Sequence, residues 1–195
     1  MLKTERMDRV RAALRAQGLT QMIVCDPKSV WYLTGVAVEP YERLLALYLP
    51  TEGEPVLFLN RLFNVPEPPC RTVWHTDTDK PVAQIAEVVD AGRPLGIDKE
   101  WPAKFLIPLM ETHPGMQVVL SSDCVDDCRA CKDAEEQALM REASRINDAV
   151  NEAAKHYIKA GMTEREVAEF IDAQFRAHGC EGPSFTTIVS FGANA

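Results

Sequence analysis

Apolar positions in the first 120 residues fall into short runs separated by turn residues. Met7, Val10 and Leu14 recur at helical spacing within 5–17, and Gly18 follows as a stop. Residues 21–25 (QMIVC) predict a short buried strand, and Asp26-Pro27 a turn, because both residues favour one. The runs 44–49 and 56–59 predict two strands joined as a hairpin across a segment containing Gly53. Pro66, Pro68 and Pro69 mark a loop. Residues 81–90 predict a helix with Pro81 in its first turn, and 95–98 a strand. A helix over 103–111 accommodates Pro108 and ends at His113-Pro114-Gly115, and 117–120 predict a further strand. This alternation predicts an α/β fold, a mixed sheet of roughly five strands covered by helices.

Past Ser122 the pattern changes. Leu139, Ala143, Ile146, Val150, Ala153 and Tyr157 form one apolar stripe on a helix over 133–160. Asp133 with Glu136 predicts a capping box at its start, and Gly161 a stop. Thr163 with Glu166 predicts a second box, opening a helix that turns Val167, Phe170, Ile171 and Phe175 inward and stops at Gly179. A loop over 181–184 leads to a strand-like run, 185–191. Two helices and one strand do not close a core, and an unpaired apolar strand is an exposed edge. The pattern therefore predicts the opening of a domain whose remainder is absent from this sequence.

Charge narrows the function classes. With 21 Lys and Arg against 29 Asp and Glu, the net charge is −8. Phosphate backbones and anionic membrane surfaces call for clustered cations, so neither nucleic acid nor a membrane surface is an expected partner. The longest apolar run, 44–49, is too short to span a bilayer, and the charged start MLKTERMDRV lacks a signal-peptide core. The expectation is a cytoplasmic protein whose six cysteines are free thiols.

Candidate chemistry is sparse. Cys124, Cys128 and Cys131 form C-x-x-x-C-x-x-C, a spacing used by iron–sulfur proteins, and equally that of a cysteine-bearing linker running into a helix. On a helix all three would share a face, and a Cys124–Cys128 disulfide would be strained. No pair among His75, His113, His156 and His178 has metal-ligand spacing with a carboxylate nearby. Asp77, Asp79, Asp123, Asp126 and Asp127 could bind a cation but read first as solvated loops, and Trp31, Tyr32 and Trp74 read as core, with a pocket or a subunit interface as alternatives.

Three segments resemble the creatinase/prolidase/aminopeptidase P family, the pita-bread metallopeptidases. Asp26-Pro27-Lys28-Ser29-Val30-Trp31-Tyr32-Leu33-Thr34-Gly35 resembles the family's D-x-x-N-I-x-Y-L-T-G, with Ser29 in place of Asn. Arg129-Ala130-Cys131-Lys132-Asp133-Ala134-Glu135-Glu136, followed by Met140-Arg141-Glu142-Ala143, resembles R-x-x-K-x-x-x-E-x-x-x-M-R-x-A. Gly161-Met162-Thr163-Glu164-Arg165-Glu166-Val167 and the stretch from Pro183 to Ala195 resemble G-x-T-E-x-E-V and P-S-F-x-x-I-V-x-x-G-x-N-A.

The resemblance implies a creatinase/prolidase-like N-terminal domain over 1–125 and the first part of an α+β pita-bread domain over 126–195. It implies that the complete protein is a dinuclear-metal hydrolase (Mn, Co or Zn), cytoplasmic and homodimeric. Such an enzyme would cut the bond before proline in dipeptides or short peptides, as an Xaa-Pro dipeptidase or aminopeptidase. The family's metal ligands lie beyond the position of Ala195, so no catalytic or metal-binding residue is expected in this chain, which alone is expected to be inactive and metal-free. Phe185 and Ile188 match a strand that borders the family's substrate pocket, and as core residues of that strand they would serve structure alone. The alternative is a non-catalytic binding or dimerisation module of the same fold.

Overall fold

The computed structural model describes residues 2–195. Among these, one six-stranded mixed sheet, ordered β4-β3-β2-β1-β5-β6, organises the first 131 residues. Its strands are β1 (Gln21–Val24), β2 (Ala46–Pro50), β3 (Val56–Asn60), β4 (Arg71–His75), β5 (Leu95–Ile97) and β6 (Val118–Leu120). β2 runs antiparallel to both β1 and β3, while β1–β5, β5–β6 and β3–β4 pair in parallel. All strands except β2 therefore end at the same edge, which gathers their carboxyl ends.

Alternation along the central strands sorts side chains between two cores. Met22, Val24, Leu47, Leu49, Leu57 and Leu59 face α1 (Thr4–Ala16), α2 (Pro27–Thr34) and α5 (Asp123–Ala130). Met7, Val10 and Leu14 are the buried face of α1, as their spacing predicts. Ile23, Ala46 and Phe58 point the other way, toward α3 (Pro81–Ala86) and α4 (Ala103–Thr112). The result is a sheet covered on both faces, the arrangement a largely parallel sheet requires. Gly96 in β5 is fixed by space: a Cβ there would lie 2.5 Å from Ser121 Oγ and 3.2 Å from the Gln21 carbonyl oxygen.

Two elements depart from the sequence expectation in this unit. Asp26-Pro27 opens helix α2 rather than a turn: the Asp26 carboxylate accepts the Ser29 N–H at 2.9 Å, Pro27 takes the first helical position, and Gly35 ends the helix at φ +75°. β4 extends the sheet beyond the three-proline loop, where no strand was expected. Its Thr-Val-Trp centre suits a pleated surface, and it pairs with β3 along its whole length.

The chain divides after Cys131, six residues past the expected boundary at 125, because α5 packs on α1 and α2 and so stays with the sheet. Residues 132–195 form the second unit, with α6 (Ala134–Tyr157) and α7 (Glu164–Ala177) packed together. Both predicted capping boxes are formed, Asp133 with Glu136 and Thr163 with Glu166. Tyr157 stacks on Phe170, with ring centroids 3.8 Å apart. Val150, Ala154 and Val167 are buried, but Leu139 is exposed, so the expected stripe is covered only along the C-terminal half of α6. Residues 185–191 do not form the expected strand. A strand needs a neighbour's N–H and C=O groups, and among the described residues no ladder reaches this segment. It is tied to α7 instead: Thr187 Oγ1 donates to Asp172 at 2.6 Å, and the Phe191 N–H to Glu164 at 3.0 Å.

Candidate functional site

The two side chains expected to touch substrate are both open to solvent, Phe185 at 71% and Ile188 at 78% exposure. Ile188 lines an open cleft of about 720 Å³ with Val167 and Ile171 of α7 and Asp148, Asn151 and Lys155 of α6. Phe185 is not part of that lining. Only Ile188 borders the cleft, so the structure does not bring the two side chains into one pocket. Neither is a core residue within this chain.

In the first unit the polar chemistry collects where the parallel strands end. Asp26 follows β1, Asp98 follows β5, and Ser122 opens α5 just after β6. Arg129 Nη1 of α5 donates to Asp26 Oδ2 at 3.1 Å and to Ser29 Oγ at 3.0 Å, and the Ser29 hydroxyl donates to Asp26 at 2.6 Å. Asp98 accepts the backbone N–H groups of Cys25, Asp26 (2.8 Å) and Glu100 (3.1 Å). Burial pushes the Asp98 carboxyl upward against the pull of those three donors. Lys99 pairs with Asp126 at 2.5 Å, and these groups line a cleft of about 160 Å³. Two sequence motifs read separately thus meet in space, the first through Asp26 and Ser29, the second through Arg129. Sequence reasoning missed this pairing. The signal was present in the N-cap Asp and the lone Arg of α5, but their separation along the chain hid it.

A second polar group closes the ends of β3 and β4. His75 is buried, with Nε2 3.1 Å from the Leu44 carbonyl oxygen, and Asn60 Nδ2 donates to Asp77 Oδ1 at 2.8 Å. Arg43 holds Asp77 through Nε and Nη2 of its guanidinium, which keeps that carboxyl below the usual range. This group borders a shallow cleft of about 380 Å³. Arg43 satisfies Asp77, so the arrangement presents no free base.

Among the described residues, no group of three or more His, Cys, Asp and Glu is placed to hold a metal ion. The described residues therefore do not fit a pair of divalent ions. No helix among them is long and apolar enough to cross a membrane.

A mixed sheet covered on both faces, with a capped helix after its first strand, defines an α/β unit, and a pair of capping-box helices follows as a second unit. Residues 6–131 match the Creatinase/Prolidase N-terminal domain, and residues 138–195 match Metallopeptidase family M24. The chain belongs to the creatinase/prolidase family. It is 27% identical over 202 residues to the putative dipeptidase YkvY of Bacillus subtilis, covering 96% of this chain and 54% of that protein. It resembles the crystal structure of dipeptidase PepE from Mycobacterium ulcerans, with a TM-score of 0.82 and 27% identity over 93% of this chain and 51% of that one. The prolidase from Thermococcus sibiricus shares the fold, with a TM-score of 0.85 at 24% identity, over 95% of this chain and 53% of that one. The chain spans about half the length of the curated relatives it matches.

Proposed function

We propose that this chain is the N-terminal portion of an Xaa-Pro dipeptidase or aminopeptidase P-like peptidase, a hydrolase of short peptides at the bond before proline. The observation that carries the reading is the order of two adjoining family matches, 6–131 and 138–195, in a chain half as long as relatives that include dipeptidases. Residues 1–131 would act as the N-terminal domain, and the stretch from 132 would open the pita-bread domain. The complete protein would be a cytoplasmic homodimer using a pair of divalent ions (Mn, Co or Zn) held by residues outside this chain. The 195 residues alone would lack peptidase activity.

Phe185 and Ile188 would supply apolar surface to the substrate pocket. The place of Ile188 on an open cleft supports this for Ile188. Ile188 beside the open cleft is the better placed of the two.

The test expresses the whole natural reading frame and assays the Mn-loaded product on dipeptides with and without proline in second position. Selective cleavage of the proline set is expected, with Ile188→Ala raising KM about 10-fold, the order expected for losing one apolar contact of ~1.4 kcal/mol. Equal cleavage of both sets would overturn the proline assignment. No cleavage of either would overturn the peptidase reading and leave a binding or dimerisation module of the same fold.

A further inference from the structure

α5 ends in Cys128-Arg129-Ala130-Cys131, a C-x-x-C pair that the peptidase reading leaves unused. The Cα separation across such a tetrapeptide is set by the dihedrals of its two middle residues. Arg129 and Ala130 are both helical, so Cys128 and Cys131 stand at about 5 Å between Cα atoms, inside the range of roughly 4.4–6.8 Å that a disulfide spans. Within a regular helix the Cβ atoms of such neighbours stay about 5–6 Å apart, too wide for an S–S bond. Cys124 and Cys128, both inside α5, share that handicap. Cys131 escapes it: it is the C-cap, with φ −92° and ψ 100°, and it is exposed. A turn of its own backbone brings its Cβ toward Cys128 without breaking into the helix.

The helix end beneath it is held from two sides. Tyr32 Oη donates to the Cys128 carbonyl oxygen at 3.1 Å, and Arg9 Nη2 donates to Tyr32 Oη at 2.9 Å. Arg129, between the two cysteines, is anchored on Asp26 and Ser29. Cys128 is held inside the helix, and Cys131 is the last residue of the first compact unit.

We propose that Cys128 and Cys131 form a reversible thiol–disulfide site at the C-terminal end of the first unit, oxidised by low-molecular-weight disulfides. The exposed Cys131 thiolate attacks one sulfur of the small disulfide. The S–S bond breaks, and the departing thiolate takes up a proton. Cys128 then loses its proton to solvent and attacks the Cys131 sulfur, expelling the second small thiol. Two protein thiols are oxidised and one small disulfide is reduced to two thiols. Burial pushes the Cys128 thiol up, with Arg9 pulling the other way, so Cys131 is the sulfur that reacts first. Cys131 is exposed, so a dithiol in solution reaches the bond and reduces it again.

The test incubates the pure chain with oxidised glutathione at about pH 8.5, where thiols begin to ionise. Thiols are counted after denaturation, and tryptic peptides are mapped without reduction. The count is expected to fall from six to four. Because trypsin cuts after Lys104, Arg129 and Lys132, the oxidised chain should give peptide 105–129 linked to peptide 130–132. Fragmentation of that pair places the bond on Cys128 rather than Cys124, without relying on a variant of the buried Cys124. The pair should vanish in Cys131→Ser and on treatment with a dithiol. Glutathione retained on Cys131, a bond to Cys124, a chain-to-chain disulfide, or six surviving thiols would each overturn the proposal.

Discussion

Asp26 carries more of the first unit than its place in the sequence suggests. Its carboxylate caps α2, takes the Ser29 hydroxyl and anchors Arg129. Read along the chain, Asp26-Pro27 signals a turn, because the same two residues serve turns and helix starts alike. Only the bonds to Ser29 and Arg129 decide between them. Replacing Arg129 with Ala removes two charge-assisted bonds from a half-buried site and should destabilise the unit by about 1–2 kcal/mol. Tryptophan fluorescence in urea reads this directly, because Trp31, Trp74 and Trp101 all lie in the first unit. Asp98 gives a pH-dependent signature. Burial raises its folded value above the unfolded one, so the folded chain holds this proton more tightly. Its contribution to stability is fully present below the unfolded value of about 4 and declines as pH rises through the folded value. Asp98→Asn should flatten the stability profile over that window. It should also cost on the order of 1–3 kcal/mol near neutral pH through unsatisfied backbone donors. Unfolding curves taken across the acid range check both.

Among the elements, those with strong local signals were legible and those defined by partners were not. The capping boxes of α6 and α7 and the apolar face of α1 form as their residues dictate. β4 was missed because a five-residue run after a proline loop has little local signal, and its identity comes from pairing with β3. The run 185–191 failed in the opposite sense: its residues suit a strand, but nothing among the described residues pairs with it. Local caps make local predictions. Thr163→Ala should cost about 1 kcal/mol and loosen the first turn of α7, and amide exchange at Glu166 and Val167 should report it. Ile188→Ala should leave stability within about 0.5 kcal/mol, because the side chain is 78% exposed. A larger loss in the thermal midpoint would mean that Ile188 is buried in solution.

At the scale of the whole molecule, the sheet unit was readable as α/β from its alternation of runs. The family was readable because three motifs stand in order along one chain. The site was less legible. Phe185 and Ile188 were nominated by resemblance alone, and the geometry separates them. The meeting of Asp26 with Arg129 came from the fold, since no periodicity links residues about a hundred positions apart. The central proposal is that these 195 residues belong to a peptidase whose chemistry they do not perform. The most direct measurement is turnover of an Ala-Pro dipeptide by the pure, Mn-loaded 195-residue chain against a metal-only blank. The account predicts no cleavage above the blank. Cleavage that scales with the chain and is abolished by a chelator would contradict it.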